Sequence, residues 1–197
     1  MMKKLFLTTT GILFLLVTAS AQSRLYLSLG ANLIRPTDEA FRSIYGNQAL
    51  YPELAIAVRV AGGFCLTGHL GQFTRKGTTP ELGFETQGKQ GYIAAGLGYL
   101  QRISSGFCVQ ADVGAAAMRF SEDALDTLIQ GNEWGFLTNG GIYYMPEEGQ
   151  GFFLGLKFGY LAAKATDIAS EVAGDQPVRL GGFKVALSIG IKLFDTD

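Results

Sequence analysis

The sequence predicts an all-β fold: an eight-stranded antiparallel up-and-down transmembrane β-barrel, carried behind a cleaved signal peptide. Three observations predict it. Apolar and small or polar residues alternate strictly in stretch after stretch. The connections between those stretches alternate long and short. The composition is apolar and glycine-rich, with 48% hydrophobic residues, 17% charged residues and 27 glycines in 197. Yet no mature segment holds an unbroken apolar run of roughly 18 residues, as a membrane helix would need. If this chain meets a bilayer, strands must cross it.

The N-terminus reads as a targeting segment. Lys3 and Lys4 form a positive start, Leu5–Val17 is largely apolar, and Ala19-Ser20-Ala21 is an A-x-A cleavage site. Residues 1–21 are thus the expected signal peptide and 22–197 the expected barrel domain. Losing Lys3 and Lys4 leaves 14 basic against 17 acidic residues and moves the formal charge from −1 to −3. Nothing in that balance suits nucleic acid.

The strands follow in order. The first, about Leu25–Leu33, sets Leu25, Leu27, Leu29, Ala31 and Leu33 against Tyr26, Ser28, Gly30 and Asn32. After a long polar stretch, the second puts Leu54, Ile56, Val58 and Val60 opposite Glu53, Ala55, Ala57 and Arg59. A short turn at Ala61-Gly62-Gly63 leads to the third, with Phe64, Leu66, Gly68 and Leu70 against Cys65, Thr67, His69 and Gly71. A long stretch is expected over about Lys76–Gln90. The fourth strand, about Gly91–Ile103, has Ile93, Ala95, Leu97 and Tyr99 on its apolar side. Ser104-Ser105-Gly106 turns the chain into the fifth, where Phe107, Val109, Ala111 and Val113 oppose Cys108, Gln110, Asp112 and Gly114. Another long stretch is expected over Ser121–Glu133. The sixth strand, about Trp134–Met145, is the least regular, and Pro146–Gln150 is a brief turn. The seventh sets Phe152, Leu154, Leu156 and Phe158 against Phe153, Gly155, Lys157 and Gly159. A last long stretch, Thr166–Gly181, leads into Gly182–Phe194, which has the cleanest alternation of all. Closure is required, because an open sheet would leave unpaired backbone edges in lipid. An even strand number puts both termini at the short-turn end.

Aromatic placement fits a membrane band. Phe64, Phe107 and Phe152 open strands after short turns, and Tyr144 closes one, so these four are expected as a belt at one depth. Trp134, Tyr160 and Phe183 are expected near the opposite interface. On these features the chain resembles the small outer-membrane β-barrel family of the outer membrane protein A and X type. The resemblance rests on the signal peptide, the amphipathic strands, the alternating connections and Phe194 near the C-terminus. It implies the outer membrane of a Gram-negative-type bacterium as location. It also implies contact with outer-membrane lipid and lipopolysaccharide, and insertion by the barrel-assembly machinery. Asp195-Thr196-Asp197 follow Phe194, a departure from the family's aromatic end. A monomer is expected.

Candidate chemistry lies on the inward face. A barrel of this size has an interior just wide enough to be filled by side chains. His69, Asp112 and Lys157 stand five or six residues up their strands, so they are expected at similar depth, with Asp112 and Lys157 paired and His69 joined to them. Arg59 and Lys192, also inward, are counted with this lumen network. No catalytic site, cofactor or metal is expected: His69 is the single histidine, Leu70 and Gly71 follow it rather than the serine of lipid A deacylase barrels, and one histidine cannot hold zinc. Cys65 and Cys108 match in depth, but a strand lies between them. Their Cα separation of ~9 Å exceeds the ~7 Å a disulfide tolerates, so two free buried thiols are expected.

Three long stretches carry apolar residues at helical spacing: Phe41, Ile44 and Tyr45; Leu125, Leu128 and Ile129; Ile168 and Val172. They read either as short helices tucked onto the rim or as a surface for an extracellular partner. The function expected is therefore a barrel with a plugged polar lumen, acting structurally or through its outer loops. The alternatives are a small ion or solute pore, then a lipid-modifying barrel enzyme or a soluble lipocalin-like binder with the apolar face turned inward.

Overall fold

The computed structural model describes residues 25–80, 83–124, 127–146, 151–165 and 178–193. The expected signal peptide lies outside them, as do Leu125, Ile168, Val172 and Phe194. The chain forms β1 (Leu25–Pro36), a short helix α1 (Glu39–Tyr45), β2 (Ala49–Ala61), β3 (Phe64–Thr78), β4 (Glu85–Ser104), β5 (Phe107–Ala124), β6 (Thr127–Tyr144), β7 (Phe152–Ala165) and β8 (Val178–Leu193). Each strand pairs antiparallel with its sequence neighbours, and β8 pairs back onto β1 from Leu25↔Leu193 to Pro36↔Gly182. The barrel is closed, so no edge strand is left.

The alternation sorts the side chains. Leucine, isoleucine, valine and phenylalanine side chains cover the outside; Leu187 is 69% exposed and Ile93 65%. This outward apolar surface excludes the lipocalin-like arrangement, which needs the same residues inside. The interior holds the opposite set, among them Tyr26, Cys65, Ala94, Tyr143 and Ala186. Cys65 and Cys108 are both free and buried.

The strands outrun the expected spans. Lys76–Gln90 is not a long loop: β3 and β4 stay paired from Phe64↔Tyr99 up to Thr78↔Glu85. Ser121–Glu133 is likewise a hairpin, with β5 and β6 paired up to Ala124↔Thr127. Leu128 and Ile129 therefore belong to a strand rather than a helix. The physical reason is that ladder hydrogen bonds satisfy the backbone wherever the partner strand continues. Alternation marks only the part of a strand with one face in an apolar medium, so it fades where both faces meet water.

One seam departs from regular pairing. β2 pairs with β1 along Ala49–Val58, but with β3 only from Glu53↔Gly71 downward. Pro52 stands just above that point and has no N–H for a ladder. α1 fills the gap. Arg75 donates to the Tyr45 carbonyl (3.4 Å), and a Cβ on Gly77 would meet the Ile44 carbonyl oxygen at 2.2 Å, so the helix reaches β3 only because Gly77 has no side chain. α1 itself is capped by Asp38, whose Oδ1 accepts from the Phe41 N–H (2.9 Å), and it ends on Gly46 at φ 87°. The other oxygen of Asp38 accepts from the Arg179 N–H (3.1 Å), which ties the cap to β8.

Candidate functional site

The interior is stacked in three layers. At the short-turn end, Tyr26, Ala57, Cys65, Leu100, Cys108, Tyr143, Met145 and Phe153 form an apolar cluster, with the Phe153 ring edge-on to Tyr26 and Tyr143. At the hairpin end, Ile34, Phe73, Met118, Phe120, Leu137, Leu161 and Leu180 form a second, and α1 adds Phe41 and Tyr45 to it. Phe41 meets Phe73 edge-on at 6.3 Å. The Tyr45 hydroxyl lies 2.8 Å from Thr86 Oγ1 and donates to Glu122 Oε1 (2.7 Å); burial pushes its pKa above the ordinary tyrosine range. Phe41 and Tyr45 are therefore spent inside the barrel mouth, not presented to a partner.

Between these clusters lies a polar layer to which strands β2 to β8 each contribute one side chain. Glu53 from β2 is its hub and is fully buried. Its Oε1 accepts from Lys157 Nζ of β7 (2.9 Å) and faces His69 Nδ1 of β3 (3.4 Å). Its Oε2 accepts from Lys184 Nζ of β8 and from the Tyr92 hydroxyl of β4. Asp112 from β5 faces the other ring nitrogen of His69 (3.2 Å) and accepts from Asn139 Nδ2 of β6 (2.8 Å). The layer thus holds two carboxylates and two ammonium groups, both of the latter on Glu53, and its formal charges balance before His69 is counted. Buried ions need such pairing, since desolvation otherwise costs several kcal/mol per charge.

The layer joins His69 with Asp112, but not Asp112 with Lys157 as the sequence led us to expect. Asp112 is taken by His69 and by Asn139, its direct partner across the β5–β6 ladder, while Lys157 reaches Glu53. Arg59 and Lys192 stand apart from it, at the short-turn mouth beside a small hollow lined also by Arg102 and Cys108; Arg59 donates to the Gly62 carbonyl. Sequence reasoning missed Glu53 and Lys184. Both are marked inward by alternation, but they sit on descending strands, whose depth relative to ascending ones depends on barrel stagger. Among the described residues, no group of three His, Cys, Asp or Glu side chains could hold a metal ion.

Outside, Phe64, Phe107, Tyr144 and Phe152 are all exposed near the short turns. Phe64 contacts Tyr99 (5.1 Å) and Phe107 contacts Tyr144 (5.3 Å). Towards the hairpin end, Tyr160 lies between Phe136 (6.0 Å) and Phe183 (4.7 Å), and Trp134 is 74% exposed.

No family model matches the chain, and no curated protein does. Solved structures do. OprG from Pseudomonas aeruginosa superposes with a TM-score of 0.63 at 14% identity, over 87% of this chain and 97% of that one. Neisserial surface protein A gives 0.58 at 11% identity, over 87% and 97%. Ail, the attachment invasion locus protein of Yersinia pestis, solved with the heparin analogue sucrose octasulfate, gives 0.57 at 13% identity, over 87% and 99%. With the closed ladder and the apolar exterior, these likenesses establish that the chain has the fold of the small eight-stranded outer-membrane β-barrels.

Proposed function

We propose that the protein is a monomeric, non-enzymatic barrel of the outer membrane whose lumen is plugged, and that it acts through the hairpins at its far end. The observation that carries this reading is the Glu53 layer, a charge-balanced network closed above and below by apolar side chains. An ion crossing the barrel would have to break the network and then pass two apolar clusters. The outward bands support the membrane location, with aromatic rings near both ends and leucines, isoleucines and valines between. The long paired hairpins β3–β4 and β5–β6 support an outward-reaching surface.

Planar-bilayer recording with the purified barrel tests the plug. Wild type is expected to show little or no steady conductance, and Glu53→Ala, which strands Lys157 and Lys184, is expected to raise it while the barrel stays folded. Large wild-type conductance, unchanged in magnitude by Glu53→Ala, would make the protein a small pore instead.

A further inference from the structure

We propose that the Glu53 layer is a proton-operated lock: His69 fastens Asp112 to Glu53 only while both of its ring nitrogens carry a proton, and water from the short-turn mouth carries the second proton in and out. The inference rests on the plugged-lumen reading above and adds its regulation. His69 stands between two acceptors. Its Nδ1 is 3.4 Å from Glu53 Oε1 and its Nε2 is 3.2 Å from Asp112 Oδ1. A neutral imidazole has one N–H and one lone pair, so it donates to one of these oxygens and sets its lone pair against the other. Each oxygen already accepts another N–H, from Lys157 and from Asn139, so neither is a hydroxyl that could donate to a bare nitrogen. Both contacts together therefore need the imidazolium.

The two holds are unequal. When the ring lets go, Glu53 keeps Lys157, Lys184 and Tyr92, whereas Asp112 keeps Asn139 alone among the described residues. The second proton therefore leaves from Nδ1, the neutral ring stays with Asp112 through Nε2–H, and the tie from β2 to β5 is lost. The layer can release that proton, because with the imidazolium it holds three cations against two carboxylates. Around the ring, Glu53 of β2 and Asp112 of β5 are its partners, and Tyr143 of β6 and Lys157 of β7 share a small void with it. Tyr92 of β4 and Lys184 of β8 stand behind Glu53, and the ladder neighbours Ala55 and Ala94 are uncharged. The void, about 20 Å³, is lined also by Ser28 and Gln110, which gives a water both room and hydrogen-bond partners. Tyr26, Met145 and Phe153 divide it from the hollow of about 70 Å³ at the short-turn mouth, since these three line both. On the other side of the layer, the fully buried Ile34, Leu137, Leu161 and Leu180 close the hairpin end.

Isotope-edited NMR of the ring nitrogens, on the untagged barrel in detergent micelles, reads the lock directly, because His69 is the single histidine. At about pH 6 both nitrogens are expected to carry protons, and between there and about pH 10 Nδ1 is expected to lose its own, leaving Nε2–H. Steady conductance in planar bilayers should rise severalfold over the same interval. In His69→Gln, whose amide does not titrate, it should stay flat with pH. Phe153→Ala, which joins the void to the mouth, should speed exchange of the ring protons with water severalfold, and Leu161→Ala should not. A bare nitrogen at about pH 6, a ring that keeps both protons at about pH 10, or a pH response retained in His69→Gln overturns the lock. Faster exchange in Leu161→Ala than in Phe153→Ala overturns the route through the short-turn mouth. Large wild-type conductance at every pH overturns the plugged lumen itself, a separate failure visible in the current traces without the spectra.

Discussion

Glu53 accepts from two lysines and a tyrosine and faces a histidine, all inside the barrel. Its loss cannot be absorbed locally, because the layer's other carboxylate, Asp112, is already engaged by His69 and Asn139. Glu53→Ala is expected to destabilise the barrel by ~3–5 kcal/mol, less if water enters, measured as the urea midpoint of refolding into lipid vesicles. Lys184→Ala should cost less, since Lys157, Tyr92 and His69 still serve the carboxylate. The double variant Glu53→Ala with Lys184→Ala should be milder than the two effects summed, because the partners are coupled; strict additivity would mean the two do not interact. Alternation marks Glu53 and Lys184 as inward, and that much is legible in the sequence. That they meet each other is not, because contact across a lumen depends on stagger between strands far apart in the chain.

At the scale of elements, α1 and the seam it fills behave as one unit. Its apolar spacing, acidic start and glycine stop are legible in the sequence alone, since a cap and a helical period are local properties. What the helix packs on is not. Asp38→Ala removes both the cap and the tie to Arg179, and should cost ~1 kcal/mol or somewhat more. It should also speed amide exchange in residues 39–45 first, as seen by hydrogen–deuterium exchange; protection unchanged there would remove the cap from the account. Gly77→Val should displace the helix from β3, because its side chain would occupy the place of the Ile44 carbonyl. For the strands, Leu187 is a test of facing. Leu187→Arg should cost ~2–4 kcal/mol if the residue sits in lipid near the midplane, and a neutral result would mean that this position meets water.

For the molecule as a whole, the orientation expected from the sequence, with the β3–β4 and β5–β6 hairpins outside, can be checked on cells. An epitope tag inserted within Ser121–Glu133 should be reachable from outside intact cells, and one within Pro146–Gln150 should not; the reverse pattern would invert the barrel. The sequence by itself determined the strand count, the two faces of every strand and therefore closure, because a period of two is written residue by residue and lipid leaves no room for an unpaired edge. It also determined that the two cysteines stand a strand apart, too far to bridge. Only the tertiary structure decided where the strands end, since a ladder that continues into water needs no alternation to mark it. Only the tertiary structure decided that Lys157 and Lys184 meet Glu53, and that Asp112 meets His69 and Asn139 instead. The reason is the same in each case: facing is a property of one strand, whereas depth is a property of the register among all eight strands, set by tilt and stagger when the barrel closes.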